Sequence, residues 1–287
     1  RAGARTPAGV SGRLSHGRPG FAPRPHVRRR GVPPRVCPFR PASPEPGPRA
    51  GRGAPARGVA GGPGRMSGGG ARGLFVSFEG GDGAGKSTQL RRLAEALRAE
   101  GRDVVVTREP GGAPGAEEIR RLVLEGEPGR WSPVSELLLF NAARRDHVER
   151  TILPALARGA VVLCDRFADS TRVYQGAARD VAGAGPLPGP DLAMADALHA
   201  LVIGIEPDLT LIFDIDPEVG LGRGVARGGE ELRFERLGLE FHRQVRARFR
   251  ALAERFPDRC RIVDAAGEPD AVFARVRAAL AERLAEV

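Results

Sequence analysis

Lysine is nearly absent from this chain: one residue, Lys86, stands against 44 arginines in 287 positions. Cysteine is also scarce, with Cys37, Cys164 and Cys260 far apart and no C-x-x-C pair. That spacing excludes a disulfide framework and a cysteine-based zinc site, and Cys164, inside an apolar run, is expected to be a buried, reduced thiol. No uninterrupted apolar stretch approaches the roughly 18 residues of a membrane-spanning helix. No apolar-centred signal segment is apparent either. The expectation is a soluble cytoplasmic protein without a membrane partner.

Acidic residues are missing from one part only. Residues 1–65 hold 14 Arg, 13 Gly and 13 Pro, with Glu45 as the only acid. Such a share of Pro and Gly cannot support a packed core, so 1–65 is expected to be a disordered Arg/Pro/Gly-rich extension. Its 14 arginines less Glu45 give +13, and the formal +10 of the chain then leaves −3 for residues 66–287. The folded part is mildly acidic, so a nucleic-acid-binding reading of it loses its main support. Three readings of the extension compete: an arm that touches nucleic acid or a membrane surface, an Arg-rich transit peptide, or upstream sequence translated ahead of the true start. The third is favoured, with Met66, the first methionine, as initiator immediately before the first convincing strand.

From Gly73 onward, short apolar runs alternate with helical periodicity. Strands are expected at 74–78, 104–106, 161–164, 209–215 and 261–263, and helices at 86–100, 115–125, 133–150, 192–204, 217–226, 235–256 and 269–285. This alternation predicts an α/β fold with a five-stranded parallel sheet covered by helices on both faces. In such sheets the ligand site lies beyond the carboxyl ends of the strands, where every motif below falls.

The first strand runs into Gly80-Gly81-Asp82-Gly83-Ala84-Gly85-Lys86-Ser87, followed by Thr88, which fits G-x-x-x-x-G-K-[ST] without a mismatch. Its glycines let backbone amides turn inward around phosphate oxygens, and the helix start adds its positive dipole end. Lys86 can reach the β- and γ-phosphates, and the Ser87 hydroxyl can ligate Mg²⁺. A compact ammonium suits that cradle better than a planar guanidinium, in keeping with the single lysine. A dinucleotide site is excluded because the loop after the first strand lacks the G-x-G-x-x-G spacing. A GTPase is excluded because the lysine of an Asn-Lys-x-Asp guanine motif is missing too.

Three further segments suit an acceptor. Arg108-Glu109-Pro110-Gly111-Gly112 ends the second strand, placing Arg108 to hold a phosphate or to form a surface ion pair. Phe140 and Arg144 share one helical face, where a ring could stack on a base and a guanidinium could read its edge; taken alone, the pair also fits a core Phe beside a surface Arg. After the third strand, Asp165-Arg166 leads through Ser170 and Thr171 to Tyr174-Gln175. A carboxylate ending a strand beside a phosphate loop serves Mg²⁺ through water, which makes Asp165 the candidate, and Arg166 adds charge where two phosphates meet. Tyr174, the only tyrosine, and Gln175 suit a sugar and base pocket.

Together, Phe78-Glu79-Gly80 through Thr88, Arg108 to Gly112, the Leu-Leu-Phe-x-x-x-Arg run and Asp165-Arg166-Phe-x-x-Ser-Thr-x-x-Tyr-Gln resemble bacterial thymidylate kinases, over about residues 73–285. The resemblance implies a P-loop NTPase fold, Mg²⁺, and transfer of the ATP γ-phosphoryl group to dTMP. It implies that Asp82 approaches the 3′-hydroxyl, Arg108 and Arg166 hold the 5′-phosphate, and Phe140 stacks on thymine. Arg144 and Thr171 would read the base edge, Tyr174 would crowd the 2′ position, and Ser170 and Gln175 would complete the site. Some family members carry a catalytic arginine in the phosphate loop, where this chain has Gly83. The family's mobile lid fits residues 223–236, with Arg227 favoured as catalytic arginine, then Arg233, alongside Lys86 and Arg166. Leu232 and Phe167 depart from the usual Asp and Tyr or His. The resemblance also suggests a homodimer through helices near 133–150 and 169–204. The rivals are a kinase of another nucleoside monophosphate or a small metabolite, and a nucleic-acid-binding protein acting through its tail.

Overall fold

The five apolar runs form five strands in the computed structural model, which describes residues 72–126, 129–175, 191–227 and 238–285, for 224–227 the backbone alone. The strands are β1 (Phe75–Gly80), β2 (Val104–Arg108), β3 (Val161–Asp165), β4 (Leu209–Asp214) and β5 (Cys260–Asp264). They form one sheet in the order β2-β3-β1-β4-β5, with every neighbouring pair parallel. β1, at the centre, is buried at all six positions, as a strand covered on both faces must be.

Successive side chains of β1 point to opposite faces, and each face has its own core. On one, Val76 and Phe78 join Leu163, Leu211 and Phe213 beneath two helices, α1 (Lys86–Ala99) and α9 (Pro269–Leu284). Leu90, Leu93 and Leu97 recur at helical spacing on α1, and Val272, Val276 and Leu280 do so on α9. Full burial of such a side chain is worth about 1.5–3 kcal/mol. On the other face, Phe75, Val162 and Cys164 lie against Ile152, Leu156 and Phe167. Ile212 there packs with Phe241, Val245 and Phe249 of a long helix, Gly238–Arg255.

Between β2 and β3 come α2 (Pro114–Leu124) and α3 (Pro133–His147). Ser132 caps α3 by accepting from Ser135 N, and Pro133 stands in the first turn, where its missing N–H costs nothing. The run expected at 133–150 continues beyond α3 as a π turn, Val148–Ile152, and a short helix, α4 (Leu153–Ala157). Pro154 has no N–H to return to the preceding turn, and Leu153 N reaches back five residues to Val148 O. A further helix, α5 (Ala168–Tyr174), leaves β3 within three residues. The stretch expected at 192–204 is α6 (Leu192–Leu198) followed by a π turn, His199–Ile203, which ends at Gly204 with φ +71°. α7 (Pro217–Arg227) follows β4, and the long helix Gly238–Arg255 is α8. Neither α4 nor α5 was expected from periodicity.

Strand register sets the site. Arg108 pairs with Asp165, Asp165 with Phe78, Gly80 with Phe213, and Asp214 with Asp264, so all five carboxyl ends come level along one edge.

Candidate active site

β1 delivers the phosphate loop to that edge. Gly80 has φ +127°, and a Cβ there would lie 2.5 Å from Phe213 O; at Gly83, with φ +74°, it would lie 1.9 Å from Gly220 O. Both positions therefore require glycine on conformation and on space. Gly85, also left-handed, starts α1, whose first turn carries no acidic residue to compete for its free amides. Lys86 is buried, and its Nζ donates to Gly80 O at 3.1 Å and Gly81 O at 2.7 Å. Burial, reinforced by Arg166, pushes the Lys86 ammonium down to about 8. One position on, Ser87 Oγ donates to Asp165 Oδ2 at 2.6 Å.

Arg166 joins the loop to the neighbouring cleft. It follows β3 directly, and at φ +69° it is the single non-glycine with positive φ among the described residues. Its Nη2 donates to Asp82 Oδ1 at 2.5 Å, and its Nη1 to Ser170 Oγ at 3.0 Å and to Gly80 O at 3.2 Å. The guanidinium lies 5.3 Å from the centroid of the Tyr174 ring, within cation–π range. Burial pushes the Asp82 carboxyl upward, but Arg166 and Lys86 outweigh it and hold the group below its ordinary value. Burial raises the Tyr174 phenol, with Asp82 adding to the shift.

The cleft beyond Arg166 measures about 380 Å³ and is lined by Phe140, Arg144, Thr171, Tyr174 and Gln175, with Arg120, Arg121 and Glu109 on the side of α2 and β2. Arg144 is 3% exposed, and two side chains fix its planar fork: its Nε donates to Glu109 Oε2 at 2.6 Å and its Nη2 to Thr171 Oγ1 at 2.8 Å. The other Glu109 oxygen lies 2.9 Å from His147 Nδ1, and His147 Nε2 lies 2.7 Å from Thr107 Oγ1. A pocket with an aromatic wall, one pre-aimed guanidinium and a hydroxyl fits a flat heterocycle with polar edges. Gln175 closes one end, donating to Glu136 Oε1 at 3.2 Å.

The family model described as thymidylate kinase matches residues 78–276, from the phosphate loop into α9. The chain belongs to the thymidylate kinase family. The thymidylate kinase of Jannaschia sp. (strain CCS1) is 58% identical over 213 residues, covering 74% of this chain and 98% of that one. That of Ruegeria pomeroyi is 60% identical over 204 residues, 71% of this chain and 92% of its own. Among solved structures, the thymidylate kinase from Ehrlichia chaffeensis superposes with a TM-score of 0.56 at 34% identity, covering 73% of this chain and 99% of that one. As a member of this family the chain is a kinase on the P-loop NTPase fold, with the all-parallel five-stranded sheet described above.

Most residues singled out from the sequence converge in this thymidylate kinase site. Asp82, Lys86, Arg166 and Ser170 are joined around the loop through Arg166 and the shared acceptor Gly80 O, Ser87 and Asp165 pair beside them, and Thr88 is half-buried in the first turn of α1. Phe140, Arg144, Thr171, Tyr174 and Gln175 line the cleft. Arg108 stands apart: it is exposed, its Nη2 lies 3.3 Å from Glu117 Oε2, and it is not among the cleft-lining side chains. Arg120 takes a place on that side, its Nη1 donating to Pro110 O at 2.6 Å. Nothing in the periodicity of α2 distinguishes Arg120 or Arg121 from other surface arginines, and Glu109 was visible only as a letter of the Arg-Glu-Pro-Gly-Gly motif. Of the expected lid, residues 223–227 are the last turn of α7, while the side chain of Arg227 and residues 228–236, Arg233 among them, lie outside the described residues, as does the extension 1–65.

Proposed function

We propose that this chain transfers the γ-phosphoryl group of ATP to dTMP, giving dTDP and ADP, with the residues gathered at the carboxyl edge of the sheet. One observation carries the assignment of roles: Arg166 contacts the phosphate loop through Gly80 O and Asp82 while lining the cleft that would hold the acceptor. A phosphate oxygen of dTMP attacks the γ-phosphorus, and the bond from that phosphorus to the β-bridging oxygen breaks as ADP leaves. The chemistry depends chiefly on positioning and on cationic charge around the phosphoryl oxygens. Gly80 to Thr88 cradle ATP, with Lys86 on the β- and γ-phosphates. Arg166, with Arg108 moving in from the rim, holds the acceptor phosphate, and Asp82 meets the 3′-hydroxyl. Phe140 stacks on thymine, Arg144 and Thr171 address its edge, Tyr174 excludes a 2′-hydroxyl, and Ser170 and Gln175 complete the wall.

Mg²⁺ fits Ser87 and Asp165, two hard oxygen donors already in contact, and when bound it neutralises charge on the β- and γ-phosphates. Among the described residues no group of three or more His, Cys, Asp or Glu could hold a metal, so the remaining ligands would be phosphate oxygens and water. With Gly83 in the loop, the transition-state charge falls to Arg227, then Arg233. Arg227→Ala then lowers kcat more than it raises KM.

Two copies associate in this proposal, supported by Leu138 at 49% exposure on α3 and Leu201 at 81% on the neighbouring π turn. The enzyme works in the cytoplasm, and among the described residues no helix is long and apolar enough to cross a membrane. Residues 1–65 take no part, so a chain starting at Met66 retains full turnover.

ADP release measured across dTMP, dUMP, dCMP, AMP and GMP tests the assignment. dTMP is expected to be the best acceptor, with slow dUMP turnover, because one methyl group is worth only about 1–3 kcal/mol in such a pocket. Equal or better turnover of a purine monophosphate would overturn it.

A further inference from the structure

Arg166 holds a left-handed backbone conformation, φ +69°, that is strained for an L-residue and persists only where its surroundings over-determine it. The constraints come largely from two adjacent residues of β1. Before the kink, Arg166 N donates to Phe78 O at 3.0 Å. After it, Phe167 N donates to Glu79 Oε1 at 2.7 Å. The second Glu79 oxygen accepts from Ser170 Oγ at 2.6 Å, and Ser170 Oγ itself accepts from Arg166 Nη1. Cys164 Sγ adds a contact to Arg166 O at 3.0 Å. Glu79 is wholly buried in the central strand, where a carboxyl is expensive unless its hydrogen bonds are met. None of the roles assigned above uses it.

We propose that Glu79 is a positioning residue for Arg166: one carboxyl oxygen fixes the backbone just past the left-handed turn, and the other aims the guanidinium through Ser170. The carboxyl therefore sets where the arginine stands between loop and cleft, without itself reaching a substrate. This rests on the acceptor-phosphate role given to Arg166. Burial, with Asp169 nearby, pushes Glu79 up to about 8, so a neutral side chain of the same shape fits the site, with the hydrogen bond to Ser170 running in the opposite direction. A glutamine can accept from Phe167 N with its carbonyl and meet Ser170 with its amide, whereas a leucine fills the space and can do neither.

The test compares Glu79→Leu, Glu79→Gln, Ser170→Ala and Arg166→Ala in the full chain by steady-state kinetics against both substrates, with thermal unfolding as a control. Glu79→Leu is expected to lose about tenfold or more in kcat/KM for dTMP, the scale of a small misplacement in a reacting site, with KM for ATP unchanged. Glu79→Gln is expected to restore most of that loss. Ser170→Ala removes the side-chain arm, along with one hydroxyl of the cleft wall, and leaves the bond to Phe167 in place, so it gives a second reading should Glu79→Leu not fold. It is expected to lower kcat/KM for dTMP in the same selective way. Unchanged dTMP kinetics in Glu79→Leu or Ser170→Ala, or an equal rise in KM for ATP and dTMP, would overturn the proposal. Full turnover in Arg166→Ala would sink the role of Arg166 and this proposal together. A dead Arg166→Ala beside a fully active Ser170→Ala and Glu79→Leu would sink this proposal alone.

Discussion

Glu109 and Arg144, 35 positions apart in sequence, form a buried ion pair at 2.6 Å, with side chains 4% and 3% exposed. Breaking such a pair by removing one partner leaves an uncompensated buried charge, at a cost of about 3–5 kcal/mol. Glu109→Ala is therefore expected to lower the unfolding midpoint in urea substantially. It also frees the guanidinium that faces the cleft, so KM for dTMP should rise while KM for ATP stays put. Unchanged stability would show that the pair is not the anchor it looks to be.

Lys86→Ala is expected to nearly abolish turnover while circular dichroism stays native, because Nζ bonds only to carbonyls of its own loop. Lys86→Arg should fare little better, since a planar fork does not fit where a point charge reaches two carbonyl oxygens. Single-turnover measurement of ADP formation decides both.

Two of the loop's positive-φ glycines, Gly83 and Gly85, should respond differently to alanine. At Gly85 a Cβ would meet nothing within 4 Å, so Gly85→Ala is charged only with the backbone conformation, about 1–2 kcal/mol. At Gly83 the new carbon would lie 1.9 Å from the Gly220 carbonyl oxygen, and backbone must move. Thermal unfolding should therefore place Gly83→Ala well below Gly85→Ala; the reverse order would contradict the packing of α7 on the loop.

Stability should respond to pH with two opposite signs. Burial pushes the Asp169 carboxyl up, but Arg259 and Arg172 hold it below its ordinary 3.8. Glu206, likewise opposed by burial, is held below 4.5 by His199 and Arg172. The stability they contribute is fully present above those ordinary values and is lost progressively as pH falls below them. Glu79, raised from 4.5 to about 8, takes up a proton on folding across that window, so it lowers stability as pH climbs from one value to the other. Calorimetry of Glu79→Gln against the unchanged chain should show the variant gaining relative Tm from about pH 4.5 to about pH 8, then no further gain. A constant difference across that window would refute the buried, proton-binding carboxyl.

The strands and long helices were legible in the sequence because buried parallel strands read as apolar runs and covering helices as regular leucine and valine spacing. β1 to β5 and α1, α2 and α9 fall within about two residues of their expected bounds. α5 was not legible: its seven residues mix Asp169, Ser170, Thr171 and Arg172 with few apolar positions, and Asp169, Thr171 and Arg172 are buried by pairing rather than by hydrophobicity. α4 was hidden behind Pro154, which reads as a stop where the chain instead loosens into a π turn and continues. In the site, the phosphate loop was fully readable, since its chemistry is written in contiguous residues. Glu109 was not, because its work is to hold Arg144 and His147 from another element, and only tertiary structure brings those partners to it.

The solitary ammonium in the phosphate loop also gives this enzyme a built-in conformational gauge. A protease that cleaves only after lysine has one target bond in the whole polypeptide, and the side chain it must grip is 6% exposed within the folded loop. Cutting into two pieces then reports the conformations in which the nucleotide cradle is open, through local or global unfolding, and nucleotide that occupies the cradle should slow the cut.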